Sequence, residues 1–368
     1  MKIVNIIYSG LGGHAAVVFA LIEGDKFLQN SHTIIFYGVE SLPIAYSDKC
    51  NSLGITFFTV LKKSGFDLNS VKQITSLLGS VKPDVIILHT INLIISVSKY
   101  ARTNNVTLIS VEHQSNELKL KKEWFFSLLL MFLSDKVVYL TDIYRLQMKQ
   151  KFKLLFRNKK VSVINNGINL ALYKPSIFQH PYASTLHIGM LSRLMPTKDH
   201  GTLILSFAEI LKKYKGDLNI ILNIAGDGTT MENLKSQVLH LSIENNVIFK
   251  GMIPESKSID FLNEQDIYVH ASMGETMSTS IMQAMACNKA IIASDVAGIN
   301  NMLENEKTAL LVPPKNKEKL TEAFIRLIEN DFLKNRLRKN AFKFAKHNFS
   351  NEIMFHKYYQ LFKQKGNV

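Results

Sequence analysis

Short runs rich in Val, Ile and Phe alternate with helix-length segments along almost the whole chain, and that alternation leaves few folds open. Strands separated by helices cannot pair as tight hairpins. Each connection must cross over, so neighbouring strands run parallel and helices cover both faces of the sheet. In the first half, strands are expected near 2–8, 33–38, 55–60, 84–89, 107–111, 136–140 and 161–164. The alternation stops over 165–185, where Asn165-Asn-Gly167, Pro175 and Pro181 mark a linker. It restarts at Leu186-His-Ile-Gly-Met-Leu191, with further strands near 219–225, 246–250, 266–270, 290–293 and 309–312.

The chain therefore reads as α/β, with two similar doubly wound units. Its 368 residues exceed what one core usually serves, and 46% hydrophobic content is enough for two. We place the first domain at 1–175 and the second at 176–345. Residues 346–368 are read as a C-terminal helix, for which packing back on the first domain is one open arrangement.

Two cysteines, Cys50 and Cys287, exclude a disulfide framework, and no zinc-ligand spacing occurs. Cys287 sits in an apolar helix and reads as packing. Met1-Lys-Ile-Val-Asn-Ile-Ile-Tyr8 enters directly as a strand, without the parts of a secretory leader, which predicts a cytoplasmic protein. The longest strongly apolar run, Trp124–Leu133, is about half the ~20 residues that span a bilayer. Net charge is +14, and residues 119–160 alone hold 11 basic and three acidic side chains. Such a patch implies an anionic partner. Lys119, Lys121 and Lys122 beside Trp124 suit an anionic membrane surface, with the helix that follows largely in the core. Nucleic acid is disfavoured, because no recognised binding module accompanies the charge. The location expected is thus peripheral, at the inner face of a membrane.

Several loops at carboxyl ends of expected strands carry chemistry. Tyr8-Ser-Gly-Leu-Gly-Gly-His14 opens a helix, so Gly12 and Gly13 let the backbone approach a phosphate or sugar. Gly10-x-Gly12-x-x-Ala15 also fits a dinucleotide fingerprint, with Glu40 as the ribose ligand, and keeps an NAD-dependent oxidoreductase open as a rival. In the second half, Arg193 and Lys198 share one loop, a bidentate and a point cation suited to a diphosphate. Ala225-Gly-Asp-Gly228, Gly251 and Ser294-Asp-Val-Ala-Gly298 are turns in equivalent places. Glu275 precedes a helix expected over 278–286, whose first turn offers N–H groups to an anion, and Gln283 follows eight residues later.

The order and spacing of Asn166-Gly-Ile-Asn169, Ser192-Arg-Leu-Met-Pro-Thr-Lys198, Ala225-Gly-Asp-Gly228, Gly251, Gly274-Glu275, Gln283-Ala-Met-Ala-Cys287 and Asp295-Val-Ala-Gly298 resemble retaining glycosyltransferases of family 4. The likeness covers nearly the whole second domain. In the first it rests on Gly12-Gly13 and on His113 within Val111-Glu-His-Gln-Ser-Asn116. It implies the GT-B fold, two Rossmann-like domains facing a central cleft, and transfer of a sugar from a nucleoside diphosphate donor, commonly UDP-linked. The implied acceptor is a lipid-linked glycan or surface polysaccharide such as O-antigen. Arg193 and Lys198 would hold the diphosphate, aided by amides at Met277, Ser278 and Thr279. Glu275 would contact the donor sugar and His113 would face it. Gln283 stands where the family's second acid binds the ribose, and the base would lie near Met252 and Ile253. Asn288 replaces a usual Gly, and Asn tolerates the left-handed cap that position needs. No Asp-x-Asp triplet is present, so no metal or other cofactor is expected. A non-catalytic sugar-nucleotide-binding homologue is a second rival, suggested by Gln283.

Overall fold

A computed structural model of the chain describes residues 1–10, 12–26, 30–65, 67–176 and 185–363. It divides into two units, Met1–Gly167 with Asn351–Val368, and Ile168–Ser350. The first changeover falls at Gly167 rather than at 175, because Ile168 already belongs to the second unit through its N–H bond to Phe349 O (2.8 Å). Pro181 and residues 177–184 of the expected linker lie outside the described residues, as do 364–368.

The first unit runs β1 (Lys2–Tyr8), α1 (Gly13–Glu23), β2 (Ser31–Gly38), α2 (Ile44–Ser52), β3 (Thr56–Leu61), α3 (Leu68–Val81), β4 (Val85–Leu88), α4 (Ile94–Thr103), β5 (Thr107–Glu112), α5 (Lys121–Leu133), β6 (Lys136–Tyr139), α6 (Asp142–Lys151) and β7 (Val161–Val163). All seven strands are parallel, in the order β3-β2-β1-β4-β5-β6-β7. Central strands are buried on both faces, which is why β4 reads Val-Ile-Ile-Leu without alternation.

The second unit runs β8 (Thr185–Leu191), α7 (His200–Lys213), β9 (Asn219–Ala225), α8 (Met231–His240), β10 (Val247–Gly251), α9 (Glu255–Asn263), β11 (Ile267–His270), α10 (Thr279–Ala286), β12 (Ala290–Ser294), α11 (Ala297–Asn300), β13 (Leu310–Val312), α12 (Lys317–Glu329) and α13 (Asp331–Asn348). Its six strands are parallel in the order β10-β9-β8-β11-β12-β13. In each sheet the chain reverses its direction of winding beside the first strand, at β1/β4 and at β8/β11. Ligands of open parallel sheets sit outside the carboxyl ends at such points.

The C-terminal segment is two helices rather than one. α13 stays in the second unit, and α14 (Asn351–Phe362) joins the first and packs on α1. A Cβ on Gly24 would lie 2.4 Å from Asn351 O, so only glycine allows this approach.

The basic stretch departs from expectation. Lys119 does not face solvent: its side chain is 0% exposed and its ammonium lies 3.0 Å from Glu112 Oε2. Glu112 also accepts from Ser127 Oγ at 2.5 Å. A carboxylate buried among β-strands needs such a partner, and truncating either member of a buried pair typically costs about 3–5 kcal/mol. Trp124 is half-buried, with Lys119 Nζ 5.0 Å and Lys151 Nζ 4.3 Å from its ring centroid and Phe152 beside it. Cation–π contacts therefore engage the indole within the protein. Lys121 and Lys122 remain exposed, next to exposed Leu120 and Phe125. Among the described residues no helix is long and apolar enough to cross a membrane.

Candidate active site

The loops after β8 and β11 are laced together. Asp199 N donates to Ala271 O (3.0 Å), Met273 N donates to Thr197 O (2.9 Å), and Lys198 and Ser272 form an antiparallel bridge. This lacing carries Lys198 to Glu275, whose Oε1 forms an ion pair with the ammonium. His270, the last residue of β11, places Nε2 2.7 Å from the same oxygen. Behind it, His270 Nδ1 lies 3.2 Å from the Tyr268 hydroxyl, which reaches Leu191 O at 3.3 Å. Glu275 is thus tied through two side chains to the end of β8.

Burial would raise the Glu275 pKa, but the Lys198 charge and the His270 hydrogen bond outweigh it and hold the carboxyl well below its usual range. Burial lowers the pKa of His270, against the opposing pull of Glu275. With side chains 17% and 13% exposed, Lys198 and Glu275 form a largely desolvated pair that still touches solvent. His270 and Tyr268 were not singled out in the sequence. Their signal was the i, i+2 spacing of two polar rings at the end of an otherwise apolar strand, on one face of the sheet.

Arg193 stands exposed in the same loop as Lys198. The glycine turns around that loop serve close packing. Gly226 has φ +137° and a Cβ there would meet Ser192 O at 1.8 Å, while one on Gly298 would meet Glu275 O at the same distance. Gly298 therefore lets α11 press against the loop that holds Glu275.

α10 begins at Thr279, one residue later than expected, because Ser278 is its N-cap, accepting from Ile281 N at 3.4 Å. Met277 is buried and Thr279 half-buried. Gln283 is buried and donates Nε2 to the Tyr173 hydroxyl (2.8 Å), itself 3.0 Å from Ser258 Oγ. An amide supplies a donor that the family's usual carboxylate lacks, and Tyr173 uses it. Met252 and Ile253 follow β10, with Met252 63% exposed. Asn288 has φ 56°, the left-handed cap expected of it. Cys287 is buried and its thiol is pushed up to about 12 by burial.

In the first unit, Gly12 and Gly13 open α1 at the carboxyl end of β1. A Cβ on Gly12 would meet nothing within 4 Å, so its glycine is not demanded by protein packing. Gly10 is different. The Glu40 carboxylate lies over it, 2.2 Å from where a Cβ would stand, and accepts from the Tyr8 hydroxyl at 2.7 Å. Glu40 is thus occupied with Tyr8, which weakens the dinucleotide rival. His113 follows β5, half-buried, with its ring centroid 4.5 Å from His14 and 5.0 Å from His89. Of the polar residues around it in sequence, Glu112 pairs with Lys119, and Asn116 donates to Gln147 Oε1 (2.8 Å), so both serve the framework. Among the described residues no group of three or more His, Cys, Asp or Glu is placed to hold a metal ion.

Two family models match the chain: glycosyl transferases group 1 over 179–344 and glycosyltransferase family 4 over 11–172. An uncharacterized glycosyltransferase of Methanocaldococcus jannaschii is 26% identical over 71% of this chain and 69% of its own length. The alpha-monoglucosyldiacylglycerol synthase of Streptococcus pneumoniae is 30% identical over 32% of this chain and 26% of its own. With that second relative, therefore, the match spans only about a quarter of its length. Among solved structures, the Anabaena protein HepE in complex with UDP and glucose covers 100% of both chains with a TM-score of 0.82 at 18% identity. That likeness shows a shared fold, the two Rossmann-like domains of GT-B glycosyltransferases.

Proposed function

The chain belongs to the family 4 glycosyltransferases, and from that premise we propose that it moves a hexosyl unit, with retention, from a UDP-sugar to a lipid-linked or surface polysaccharide acceptor. The observation that carries this reading is the convergence of Lys198 and His270 on Glu275 at the switch point of the second sheet. A cation at the mouth of such a site complements a diphosphate, and a carboxylate held ionised beside it can stabilise positive charge developing on a sugar ring. In the proposed complex Lys198 turns from Glu275 to the diphosphate together with Arg193. Glu275 stays fixed by His270 next to the sugar. The amides of Met277, Ser278 and Thr279 add to the phosphate grip, Gln283 takes the ribose, and the base rests near Met252 and Ile253. With these cations and a helix terminus on the leaving group, transfer proceeds without a metal ion. In the first unit Gly12, Gly13 and His113 contact sugar.

The lipid acceptor finds support in the relative from Streptococcus pneumoniae, an alpha-monoglucosyldiacylglycerol synthase by name. A membrane contact would use Lys121, Lys122, Leu120 and Phe125, with Lys119 and Trp124 serving the framework. The test is a screen of nucleotide sugars for thermal stabilisation, followed by turnover of the best donor with and without EDTA. A ligand that binds only the native state raises the melting temperature, by an amount that grows with the logarithm of its concentration over its Kd. A UDP-sugar should stabilise most and turn over fully in EDTA. Stabilisation by NAD alone would return the chain to the rival reading, and metal-reversible loss in EDTA would refute the metal-free account.

A further inference from the structure

Tyr173 lies near the start of the second unit, in a turn closed by its own N–H on Asn169 O (3.0 Å). Asn169 Oδ1 accepts from Ala171 N at 3.1 Å, while the Asn263 side chain accepts from Ser176 N (3.1 Å) and donates to Lys174 O (3.3 Å). The tyrosine is therefore anchored from both sides, and its ring is buried. Its hydroxyl lies 3.0 Å from Ser258 Oγ and 2.8 Å from Gln283 Nε2.

The direction of each bond in this row follows from a backbone carbonyl at its far end. Ser258 Oγ donates to Glu255 O at 2.6 Å, and a carbonyl can only accept. That uses the single hydroxyl proton of Ser258, so Ser258 must accept from Tyr173. Tyr173 has then committed its own proton and can only accept from residue 283. Glutamine meets that demand with Nε2, which settles the branch of the amide that faces Tyr173 and leaves Oε1 on the other branch. Tyr173, Ser258 and Gln283 are all buried, so an amide turned the other way would set one acceptor against another in a place shielded from water.

We propose that Tyr173 is a positioning residue for the donor nucleotide, holding the Gln283 amide so that Oε1 is the atom offered to a ribose hydroxyl. The proposal rests on the reading above, in which Gln283 takes the ribose, and adds which atom does so and what fixes it. A hydroxyl that donates needs an acceptor, and an unguided amide presents its NH2 as readily as its oxygen. A carboxylate has two acceptor oxygens and needs no guide. Glutamine at 283 and a hydroxyl at 173 thus act as one device, in which the tyrosine secures the acceptor that an amide offers in only one of its two orientations.

The experiment is calorimetry of UDP and of 2′,3′-dideoxy-UDP, the same diphosphate without the ribose hydroxyls, against the whole chain as parent, Tyr173→Phe and the double variant Tyr173→Phe/Gln283→Glu. The parent should prefer UDP about fivefold, the worth of an ordinary hydrogen bond. In Tyr173→Phe, UDP should weaken to the level of the dideoxy ligand, whose own affinity stays as in the parent. The double variant should regain the preference, because a carboxylate accepts in either orientation. In Gln283→Glu alone, Tyr173 turns its proton to the carboxylate. A tyrosine that only supports the fold would cost both ligands alike and would not be rescued. A preference kept in Tyr173→Phe, equal weakening of both ligands, or a double variant without preference overturns the proposal. Equal binding of the two ligands by the parent also overturns it and leaves the UDP reading standing. If the parent binds neither, the UDP reading fails and the ribose contact falls with it. Side-chain amide exchange by 15N NMR tests the row without ligand: one Nε2 hydrogen of Gln283 should be protected in the parent and lose that protection in Tyr173→Phe, and free exchange in the parent would refute the orientation.

Discussion

At the edge of β8 and β11, Lys198 and His270 converge on one oxygen of an ionised Glu275, whereas at the edge of β1, β4 and β5 the row Asn5, His89 and His113 is neutral throughout. Both places are switch points of parallel sheets, so topology alone does not explain the contrast. A diphosphate has fixed charge, and a site for it is built from ions kept partly desolvated, where their attraction is strongest. A sugar presents only hydroxyls, and direction rather than charge discriminates among them. The same architecture thus holds one charged and one neutral cluster, made different by the residues within the strands and on the loops that follow them.

The contrast breaks most easily at Glu275. Glu275→Gln keeps shape but removes charge beside the reacting sugar, and turnover at saturating donor should fall by about 10²–10³, as for the loss of one electrostatic stabiliser. UDP affinity should be nearly unchanged. Turnover equal to the parent would show that the charge is not used.

A smaller effect sharpens the neutral side. A histidine held neutral by burial has a folded pKa below its unfolded 6.5, so its contribution to stability is complete above that value and is lost as pH falls towards the folded pKa, about 3 for His89. Between pH 7 and pH 5, His89 should therefore account for about 2 kcal/mol of lost unfolding free energy. Glu275, with its pKa depressed from 4.5, contributes fully through this window and loses its share only as pH falls below 4.5. Urea unfolding of His89→Leu should show a shallower pH dependence than the parent. Identical slopes would mean that His89 is not held neutral.

The smallest expected change concerns Gln283. Gln283→Ala should weaken UDP by about 1 kcal/mol, the net worth of an ordinary hydrogen bond, and release Tyr173. Gln283→Glu should bind UDP at least as well, because the Tyr173 hydroxyl can donate to a carboxylate. Calorimetry in which Ala and Gln bind UDP equally would remove Gln283 from the ribose.

The strands were legible because most are short runs rich in Val, Ile, Leu and Phe set between helix-length segments, and β1, β9 and β11 fall within a residue of where that alternation puts them. Lys198 and Glu275 were legible for a related reason: each belongs to a loop between a strand end and a helix start, and Glu275 follows Gly274. What sequence hid are partnerships between strand residues far apart in the chain. Asn5 with His89, and His270 with Tyr268 behind Glu275, depend on which residues share a face or adjoin in the sheet. Lys119 misled for the opposite reason, since a lysine in a basic run looks solvated until a buried Glu112 is found opposite it. Tyr173, the partner of Gln283, lay in a segment read only as linker.

The central claim is that the carboxyl end of the second sheet is a diphosphate site with the half-buried Lys198 as its cation. Isothermal calorimetry of UDP and of uridine against the parent and Lys198→Ala tests it directly. The account predicts that Lys198→Ala weakens UDP by about 1.5–3 kcal/mol, the range for a hydrogen bond to a charged group, while uridine binding stays as in the parent. Equal weakening of both ligands, or none of either, would contradict it.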